Sequence, residues 1–221
     1  ALKQFATSPA DLFELDYEMT PATPFQMTWT EAYENAKDSM VDIFILTPSE
    51  RPNVFSAIVG AGFIVNETGY ALTNSHVAEC DGDRRAGLAN GERLPYRVVA
   101  RSNPLDLAVI KIEDDRKFKP MTIGRSRDLK IGDPLLAMGN PSGVTHSVAP
   151  GKVTGLGANW GYQWGDGGTW YNNWISTTAA IAPGYSGGPT VNARGEVIGL
   201  SSGMMTGDDS RVGFVIPIET I

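Results

Sequence analysis

Cysteine is almost absent from this chain of 221 residues, which contains only Cys80. A single thiol cannot form an intrachain disulfide, so the fold has to be held by burial and hydrogen bonding. Cys80 itself is expected to be a small buried apolar residue, as free cysteines usually are. Histidine is also scarce, with only His76 and His146, and their spacing brings no third ligand to them. We therefore expect no metal site and no cofactor.

The chain also contains few basic residues and no long apolar run. Lys and Arg together number 18 against 25 Asp and Glu, which gives a formal net charge of −7. This excess of acid argues against nucleic acid or an anionic membrane surface as a partner, since both require clustered basic side chains. No apolar run approaches the roughly 18 residues that span a bilayer, so we expect no membrane insertion. The first 13 residues also lack the charged start and apolar middle of a signal peptide.

Strand-sized segments make up most of the chain. From Val41 onward, short runs rich in β-branched residues alternate with Gly, Pro, Asn and Asp turn signals. The runs are VDIFIL, SAIVGAGFIVN, YALTNSHV, RLPYRVVARS, LDLAVIKI, PLLAMGNP, HSVAPGKVTGLG, NWISTT, PTVNA, EVIGLSS and GFVIPI. Their spacing predicts an all-β sandwich or barrel rather than βαβ units. The breaks NETG, ANGE and NARG are typical of hairpin turns, because Asn and Gly accept a positive φ.

The N-terminal part of the chain follows a different pattern. Residues 1–28 mix Pro, Thr, acidic and isolated aromatic residues without a period, which predicts an extended arm outside the core. Thr28 or Thr30 is expected to cap a short helix that follows over residues 31–40. Farther along, the charged stretch over residues 113–119 interrupts the strand pattern, and we expect a linker there.

Ser186 lies in the most informative segment, PGYSGGP, at residues 183–189. Glycines on both sides remove Cβ atoms, so backbone N–H groups can converge on one point beside the serine hydroxyl. Such convergence is what an oxyanion hole requires, and we assign the donors to Gly184 and Ser186. Taken alone, the same segment also fits a glycine-rich turn between two strands.

A serine hydroxyl needs a base to remove its proton, and the two histidines are the candidates. His76 ends the apolar run YALTNSHV, where a side chain can reach a cleft, whereas His146 follows a turn and is expected to be structural. Asp106 is followed at once by four apolar residues. A carboxylate in such surroundings rarely lacks a partner, so we predict that it orients the His76 imidazole.

Several separated blocks then carry a family resemblance. TNSHV, LDLAVIKI, GNPSG, TTAAIAPGYSGGP, GEVIGL and GFVIPI resemble the trypsin-fold serine peptidases of the high-temperature-requirement (HtrA, or Deg) family. The resemblance covers residues 41–218 and keeps the order His, Asp, Ser. It implies two six-stranded antiparallel barrels with the cleft between them. The chain then divides into an arm and helix over residues 1–40, a first barrel with His76 and Asp106 over 41–118, and a second barrel with Ser186 over 119–221.

The resemblance also implies an activity and a setting. Ser186 would cleave peptide bonds of unfolded or extended polypeptides through an acyl-enzyme intermediate. Carried over by position, the specificity pocket comprises Ala180, Ile181, Ala182, Leu200, Ser201, Ser202 and Gly203. None of these residues is charged, so we expect cleavage after small or medium aliphatic residues. By analogy with the family we expect protein quality control in the periplasm, cell envelope or secreted fraction, and a homotrimer as the candidate assembly.

Some features depart from the family pattern and leave alternatives open. Tyr185 stands where relatives carry Asp or Asn, and Thr178 and Ala182 replace an acid and an Asn. Residues 158–174 hold four of the five tryptophans. They are either a regulatory loop or a small satellite core. Many relatives continue into a PDZ domain after the last barrel strand. The alternative functions are a catalytically silent scaffold that binds peptides by strand addition and a chaperone-protease that needs assembly to act.

Overall fold

Strands account for most of the fold, and they close into two six-stranded barrels. The computed structural model describes residues 28–48, 55–79, 81–141, 146–164, 167–206 and 211–221. The expected arm over residues 1–27 and the expected burial of Cys80 lie outside the described residues. The predicted all-β class, with two six-stranded antiparallel barrels and a short N-terminal helix, is confirmed.

The first barrel has the spatial strand order β1-β2-β3-β6-β5-β4. Its strands are β1 (Met40–Pro48), β2 (Phe55–Ile64), β3 (Tyr70–Thr73), β4 (Asp83–Gly87), β5 (Arg93–Ser102) and β6 (Leu107–Ile112). All neighbours pair antiparallel, and the pairing of β1 with β4 closes the barrel. The long run of pairs between β1 and β2 sets Asp42 opposite Ala61.

The second barrel has the order β10-β11-β12-β9-β8-β7. Its strands are β7 (Pro134–Gly139), β8 (Ser147–Trp164), β9 (Gly167–Thr177), β10 (Pro189–Val191), β11 (Val197–Thr206) and β12 (Arg211–Pro217). The short pairing of β10 with β7 closes it. Since β6 ends at Ile112 and β7 begins at Pro134, the domain division at residue 118 stays a prediction.

Among the described residues, three groups of buried side chains form the cores of the protein. One fills the first barrel, around Ile43 and Ile110, and one fills the second, around Leu135 and Val215. The third group spans both barrels. It joins Phe63 of the first to residues of β7, β9 and β12 in the second. Burying a large apolar side chain contributes about 1.5–3 kcal/mol each, so this shared core fixes how the barrels face one another.

Helix α1 (Trp29–Ala36) packs Ala32 and Ala36 onto that shared core. The Thr28 hydroxyl accepts the N–H of Glu31, while the Glu31 carboxylate accepts the N–H of Thr28, which is a capping box. Of the two predicted caps, Thr28 is therefore the N-cap of the helix, and Thr30 lies inside the helix. A turn of 3₁₀-helix (Lys37–Ser39) then leads into β1, where the prediction had a continuous helix to residue 40.

The structure adds one strand that the sequence patterns did not predict. Strand β4 has the sequence DRRAG, in which charged residues replace the usual apolar alternation. It forms because it pairs with β1 on one side and with β5 on the other. The backbone hydrogen bonds that close the barrel thus outweigh its weak strand propensity. The predicted run YALTNSHV also divides, since β3 ends at Thr73 and a short helix α2 (Ser75–Ala78) follows.

The aromatic-rich segment over residues 158–174 belongs to the hairpin of β8 and β9. Tyr171 and Trp174 stack with ring centroids 4.5 Å apart. Both are buried in the core shared by the barrels, so this part of the segment packs into the core rather than projecting as a loop. Residues 165 and 166 lie outside the described residues.

Candidate active site

His76 is presented by the short helix α2, directly after β3. Asn74 caps this helix with extended backbone at φ −74° and ψ 150°, which turns the chain sharply out of the strand. The His76 side chain is 45% exposed, so the imidazole borders solvent. The change from strand to helix at residues 74–75 thus places an exposed imidazole at the rim of the first barrel.

Asp106 lies beneath His76 and is almost fully buried, with 3% of its surface exposed. It ends a turn of 3₁₀-helix (Asn103–Leu105) in the left-handed region at φ 52° and ψ 43°, which Asp tolerates better than most residues. Both carboxylate oxygens lie 2.9 Å from His76 Nδ1, and Oδ1 also accepts the His76 backbone N–H at 3.1 Å. Nδ1 is therefore the protonated ring nitrogen, and Nε2 keeps a lone pair that can accept a proton.

Three further hydrogen bonds fix this pair. Ser202 Oγ donates to Asp106 Oδ2 at 2.5 Å from the second barrel. Asn74 Nδ2 donates to the backbone carbonyl of Asp106 at 2.9 Å, and Ser75 Oγ donates to Asn103 Oδ1 at 2.6 Å. The carboxylate is thus satisfied on both oxygens, which compensates its burial.

Ser186 lies in a loop whose glycines permit very close backbone packing. Gly184 and Gly187 have φ of +102° and +86°. A Cβ on Gly184 would collide with Asn140 O, and a Cβ on Gly187 would collide with Ala61 O. Larger residues at either position would strain the backbone and push the loop away from its supports.

Backbone hydrogen bonds hold that loop from both barrels. Ala61 N–H donates to Ser186 O at 2.8 Å from the first barrel. Asn140 N–H donates to Gly184 O at 2.9 Å from the second barrel. In the part of the chain that the structure describes, the N–H groups of Gly184 and Ser186 donate to no acceptor.

The Ser186 side chain is half-buried, and its Oγ donates to the carbonyl of Ser202 at 3.1 Å. Among the described residues, Ser186 and His76 form no hydrogen bond with each other. Catalytic hydrogen bonds are often long or misaligned until substrate binds, so this arrangement does not exclude Ser186 as a nucleophile. Ser202 consequently contacts both Ser186 and Asp106, through its carbonyl and its hydroxyl.

The residues predicted to line the specificity pocket lie at different depths. Ala180 is exposed, Ala182 and Gly203 are half-buried, and Ile181, Leu200, Ser201 and Ser202 are buried. Ile181 packs over Gly213, where a Cβ would lie 2.8 Å from Ile181 Cδ1. Tyr185, the departure beside the serine, points into the core of the second barrel, and burial raises the pKa of its phenol.

The second histidine is not part of this arrangement. His146 packs edge-on against Tyr33, with ring centroids 6.3 Å apart, and has a positive φ of 57°. Burial lowers the pKa of its imidazole. Within the described ranges, no group of three or more His, Cys, Asp or Glu side chains is placed to hold a metal ion.

Two contributors escaped the sequence patterns. Ser202 is a predicted lining residue of the specificity pocket, but its hydroxyl donates to Asp106, which is 96 positions away in the chain. No sequence pattern marks Asn74, although its side chain donates to the Asp106 backbone carbonyl. Neither contact has a spacing signal, because each depends on how the strand ends are brought together by barrel closure.

Comparison with known proteins gives matches over most of the chain. Residues 60–200 match a family model described as a trypsin-like peptidase domain. A probable periplasmic serine endoprotease DegP-like of Chlamydia trachomatis serovar D is 36% identical over 191 residues, covering 84% of this chain and 37% of that protein. Protease Do-like 1, chloroplastic, of Arabidopsis thaliana is 34% identical over 165 residues, covering 73% of this chain and 37% of that protein. The chain therefore spans well under half the length of these relatives.

Solved structures agree with the sequence matches. The HtrA-type protease AlgW with tripeptide superimposes with a TM-score of 0.75 at 30% identity, covering 88% of this chain and 61% of that one. AlgW with decapeptide gives a TM-score of 0.73 at 28% identity, over 88% of this chain and 65% of that one. Among the described residues, none of the helices has the length and apolar character needed to cross a bilayer.

Proposed function

This chain belongs to the trypsin-like peptidase family, among its HtrA-type serine proteases, and from this premise we propose that it is an endopeptidase with Ser186, His76 and Asp106 as its triad. Its substrates are unfolded or extended polypeptides. The named relatives are periplasmic or chloroplast proteases, which favours action outside the cytoplasm, in the periplasm or cell envelope. A homotrimer is the assembly that the family resemblance suggests.

The chemistry is acyl transfer in two steps. Ser186 Oγ attacks the scissile carbonyl carbon while His76 Nε2 takes its proton, and the carbonyl oxygen becomes an oxyanion facing the N–H groups of Gly184 and Ser186. The C–N bond then breaks as His76 returns the proton to the leaving amine. Water attacks the acyl-enzyme, again giving its proton to His76, and releases the second product and free Ser186.

One observation carries this proposal above the others: the buried Asp106 carboxylate accepts from His76 Nδ1 through both oxygens at 2.9 Å. That contact fixes the tautomer in which Nε2 is the free base, and it stabilises the imidazolium that forms during the reaction. A purely structural histidine would have no need of a buried carboxylate with three donors.

The proposed preference for small or medium aliphatic residues before the cut follows from the pocket lining. Ile181, an apolar member of the predicted lining, packs against Gly213, and we infer from this contact that the pocket is short. No charged side chain occurs among the predicted lining residues, so a basic side chain would lose its hydration without gaining a partner. Peptide-library profiling measures this preference, and dominant cleavage after Lys or Arg would contradict it.

A second candidate is a resting or silent scaffold that binds peptides without cutting them. The observation that favours it is the hydrogen bond from Ser186 Oγ to Ser202 O, which engages the Ser186 hydroxyl with an acceptor other than His76. The presence of Ser186, His76 and Asp106, with His76 and Asp106 in contact, favours the peptidase. In the resting form, a segment or subunit that shifts Ser186 toward His76 would switch the enzyme on.

The test is hydrolysis of casein by the unaltered chain and by Ser186→Ala from about pH 5 to 9. We expect cleavage by the unaltered chain alone. Loss of a triad member costs about a thousandfold or more, so the difference is measurable even for a slow enzyme. Equal cleavage by both chains would contradict the role of Ser186. No cleavage by either, with no labelling of Ser186 by a fluorophosphonate, would favour the scaffold.

A further inference from the structure

A second buried carboxylate, Asp42, lies at the junction of the barrels and has no role in the triad. It is 3% exposed, and its neighbour Asn140 is fully buried. Within the described residues, Asp42 Oδ1 and both polar atoms of the Asn140 side chain, Oδ1 and Nδ2, lack a hydrogen-bond partner of ordinary geometry. Buried polar atoms without partners destabilise a fold, so three in one place call for an explanation.

Both residues belong to the segments that hold the Ser186 loop. Asp42 lies in β1 opposite Ala61, whose N–H donates to Ser186 O. Asn140 directly follows β7, and its N–H donates to Gly184 O. A Cβ on Gly139 would lie 2.6 Å from Tyr185 Cα, so the end of β7 is packed directly against the loop. Any shift of Asn140 is therefore transmitted to Gly184.

The chemistry of the two side chains indicates how they pair. A carboxylic acid and a primary amide can form a cyclic pair in which the acid O–H donates to the amide oxygen and the amide N–H donates to the acid carbonyl. That pair would satisfy all three orphaned atoms. An ionised carboxylate has no proton to donate, so it would leave Asn140 Oδ1 without a partner.

The surroundings of Asp42 favour the neutral form around slightly acidic pH. Burial raises the pKa of Asp42 to about 6, and the nearby Asn140 amide and the charge of Arg93 on β5 oppose only part of this rise. The other titratable groups at this place are Tyr33 of α1 and His146, which line a cavity of about 250 Å³ together with Asp42 and Arg93. β2 and β4 present only Ala61 and Gly87 to Asp42. The cavity gives the carboxyl a route for proton exchange.

We propose that Asp42 is a positioning residue for the oxyanion hole: protonated Asp42 pairs with the Asn140 side chain, and Asn140 in turn holds the carbonyl of Gly184, the residue whose own N–H is a proposed oxyanion donor. Ionisation of Asp42 breaks one half of the pair and loosens the loop. The proposal rests on the oxyanion-hole role proposed above for Gly184.

The first experiment does not depend on catalysis. It follows the ¹H–¹⁵N signal of Gly184 from pH 4.5 to 8 in a His76→Ala background, so that no change of the His76 side chain contributes to the signal. We expect the Gly184 shift to titrate with a midpoint near the pKa of about 6 of Asp42. Adding Asp42→Asn should abolish the titration, since an amide pairs with Asn140 at every pH. A flat Gly184 signal with Asp42 present, or the same titration without it, would overturn the proposal.

The second experiment measures kcat on a peptide substrate for the unaltered chain, Asp42→Asn and Asp42→Ala from pH 5.5 to 8.5. Asp42→Asn should match the unaltered chain at pH 5.5 and exceed it about two- to fivefold at pH 8. Asp42→Ala should be slower than Asp42→Asn at every pH, because it cannot pair. A kcat ratio of Asp42→Asn to the unaltered chain that stays constant with pH would contradict the proposal.

The two proposals fail in distinguishable ways. If the unaltered chain and Ser186→Ala show the same activity, the peptidase function fails, while the Gly184 titration still decides whether Asp42 controls the loop. If the Gly184 signal ignores Asp42 but Ser186→Ala is inactive, only the positioning role is lost.

Discussion

Ser202 makes two contacts that meet at the candidate site. Its hydroxyl donates to Asp106 Oδ2 at 2.5 Å, and its carbonyl accepts from Ser186 Oγ at 3.1 Å. Hydrogen bonds to charged groups contribute about 1.5–3 kcal/mol, roughly twice the value for neutral pairs. The hydroxyl is thus the stronger of the two contacts, and it is the one that a side-chain substitution removes.

We expect Ser202→Ala to lower kcat about tenfold to a hundredfold with little change in KM, because Asp106 loses a donor while the Ser202 carbonyl remains. Steady-state kinetics on a peptide substrate measure the effect. Ser126→Ala is the matched control, since Ser126 is also buried and its hydroxyl also donates to a carboxylate, that of Glu219, outside the candidate site. Activity of Ser202→Ala within twofold of the unaltered chain would contradict the role, as would an equal loss in the control.

At this scale the sequence identified candidate groups but not their partners. The pattern that selected Asp106, a carboxylate followed by four apolar residues, is met equally by Asp42, which precedes Ile43, Phe44, Ile45 and Leu46. Both are buried, as the pattern predicts. Only the fold shows that His76 lies over Asp106 while Asn140 lies beside Asp42. Local apolar context predicts burial, but it does not say which side chain comes into contact.

Turns and caps were the elements that the sequence predicted best. The breaks at residues 66–69, 89–92 and 192–195 are turns in which Gly69, Gly91 and Gly195 have positive φ. The sequence does not predict strand β4, because its composition does not favour a strand. It forms by pairing with β1 and β5, which are distant in the chain or follow a turn. The sequence predicts local structure well where one residue type favours a particular backbone conformation. It predicts local structure poorly where pairing with distant strands determines the conformation.

The cap of α1 gives a prediction at the same scale. Thr28→Ala removes the capping box with Glu31 and should destabilise the helix by about 1 kcal/mol. Amide hydrogen exchange of α1 should then be about fivefold faster, which native-state exchange measures residue by residue. Thr30→Ala is the control, since Thr30 is an exposed residue inside the helix. Faster exchange in Thr30→Ala than in Thr28→Ala would show that the cap is misassigned.

The whole molecule depends on how the two barrels face each other, and that interface was the part least accessible from sequence. The resemblance implied a cleft between barrels, whereas the strand runs alone were compatible with a sandwich. The interface combines an apolar core around Phe63 and Met138 with the polar pair of Asp42 and Asn140. The apolar part stabilises the contact at any pH. The Asp42 carboxyl makes the polar part of the interface sensitive to pH. This pH dependence belongs to the contact between the barrels rather than to His76, Asp106 and Ser186.

Stability should therefore depend on pH through Asp42. Its pKa is raised from 3.8 to about 6 in the folded chain, so the folded state binds this proton more tightly than the unfolded state does. The favourable contribution is complete below about pH 4 and is lost as pH rises through about 6. A rise of about two units corresponds to roughly 3 kcal/mol at most.

The Asp42→Asn side chain cannot ionise. The free energy of unfolding of Asp42→Asn should therefore increase relative to that of the unaltered chain as the pH rises from 4 to 6.5. Above that range the difference should stay constant, at up to roughly 3 kcal/mol. Urea unfolding at half-unit pH steps measures this difference, and all other titrating groups cancel between the two chains. Asp38→Asn, which removes an exposed carboxylate just before β1, controls for the loss of one charge. A difference between Asp42→Asn and the unaltered chain that is independent of pH would show that Asp42 is ionised throughout, and the acid–amide pair at the barrel junction would then not exist.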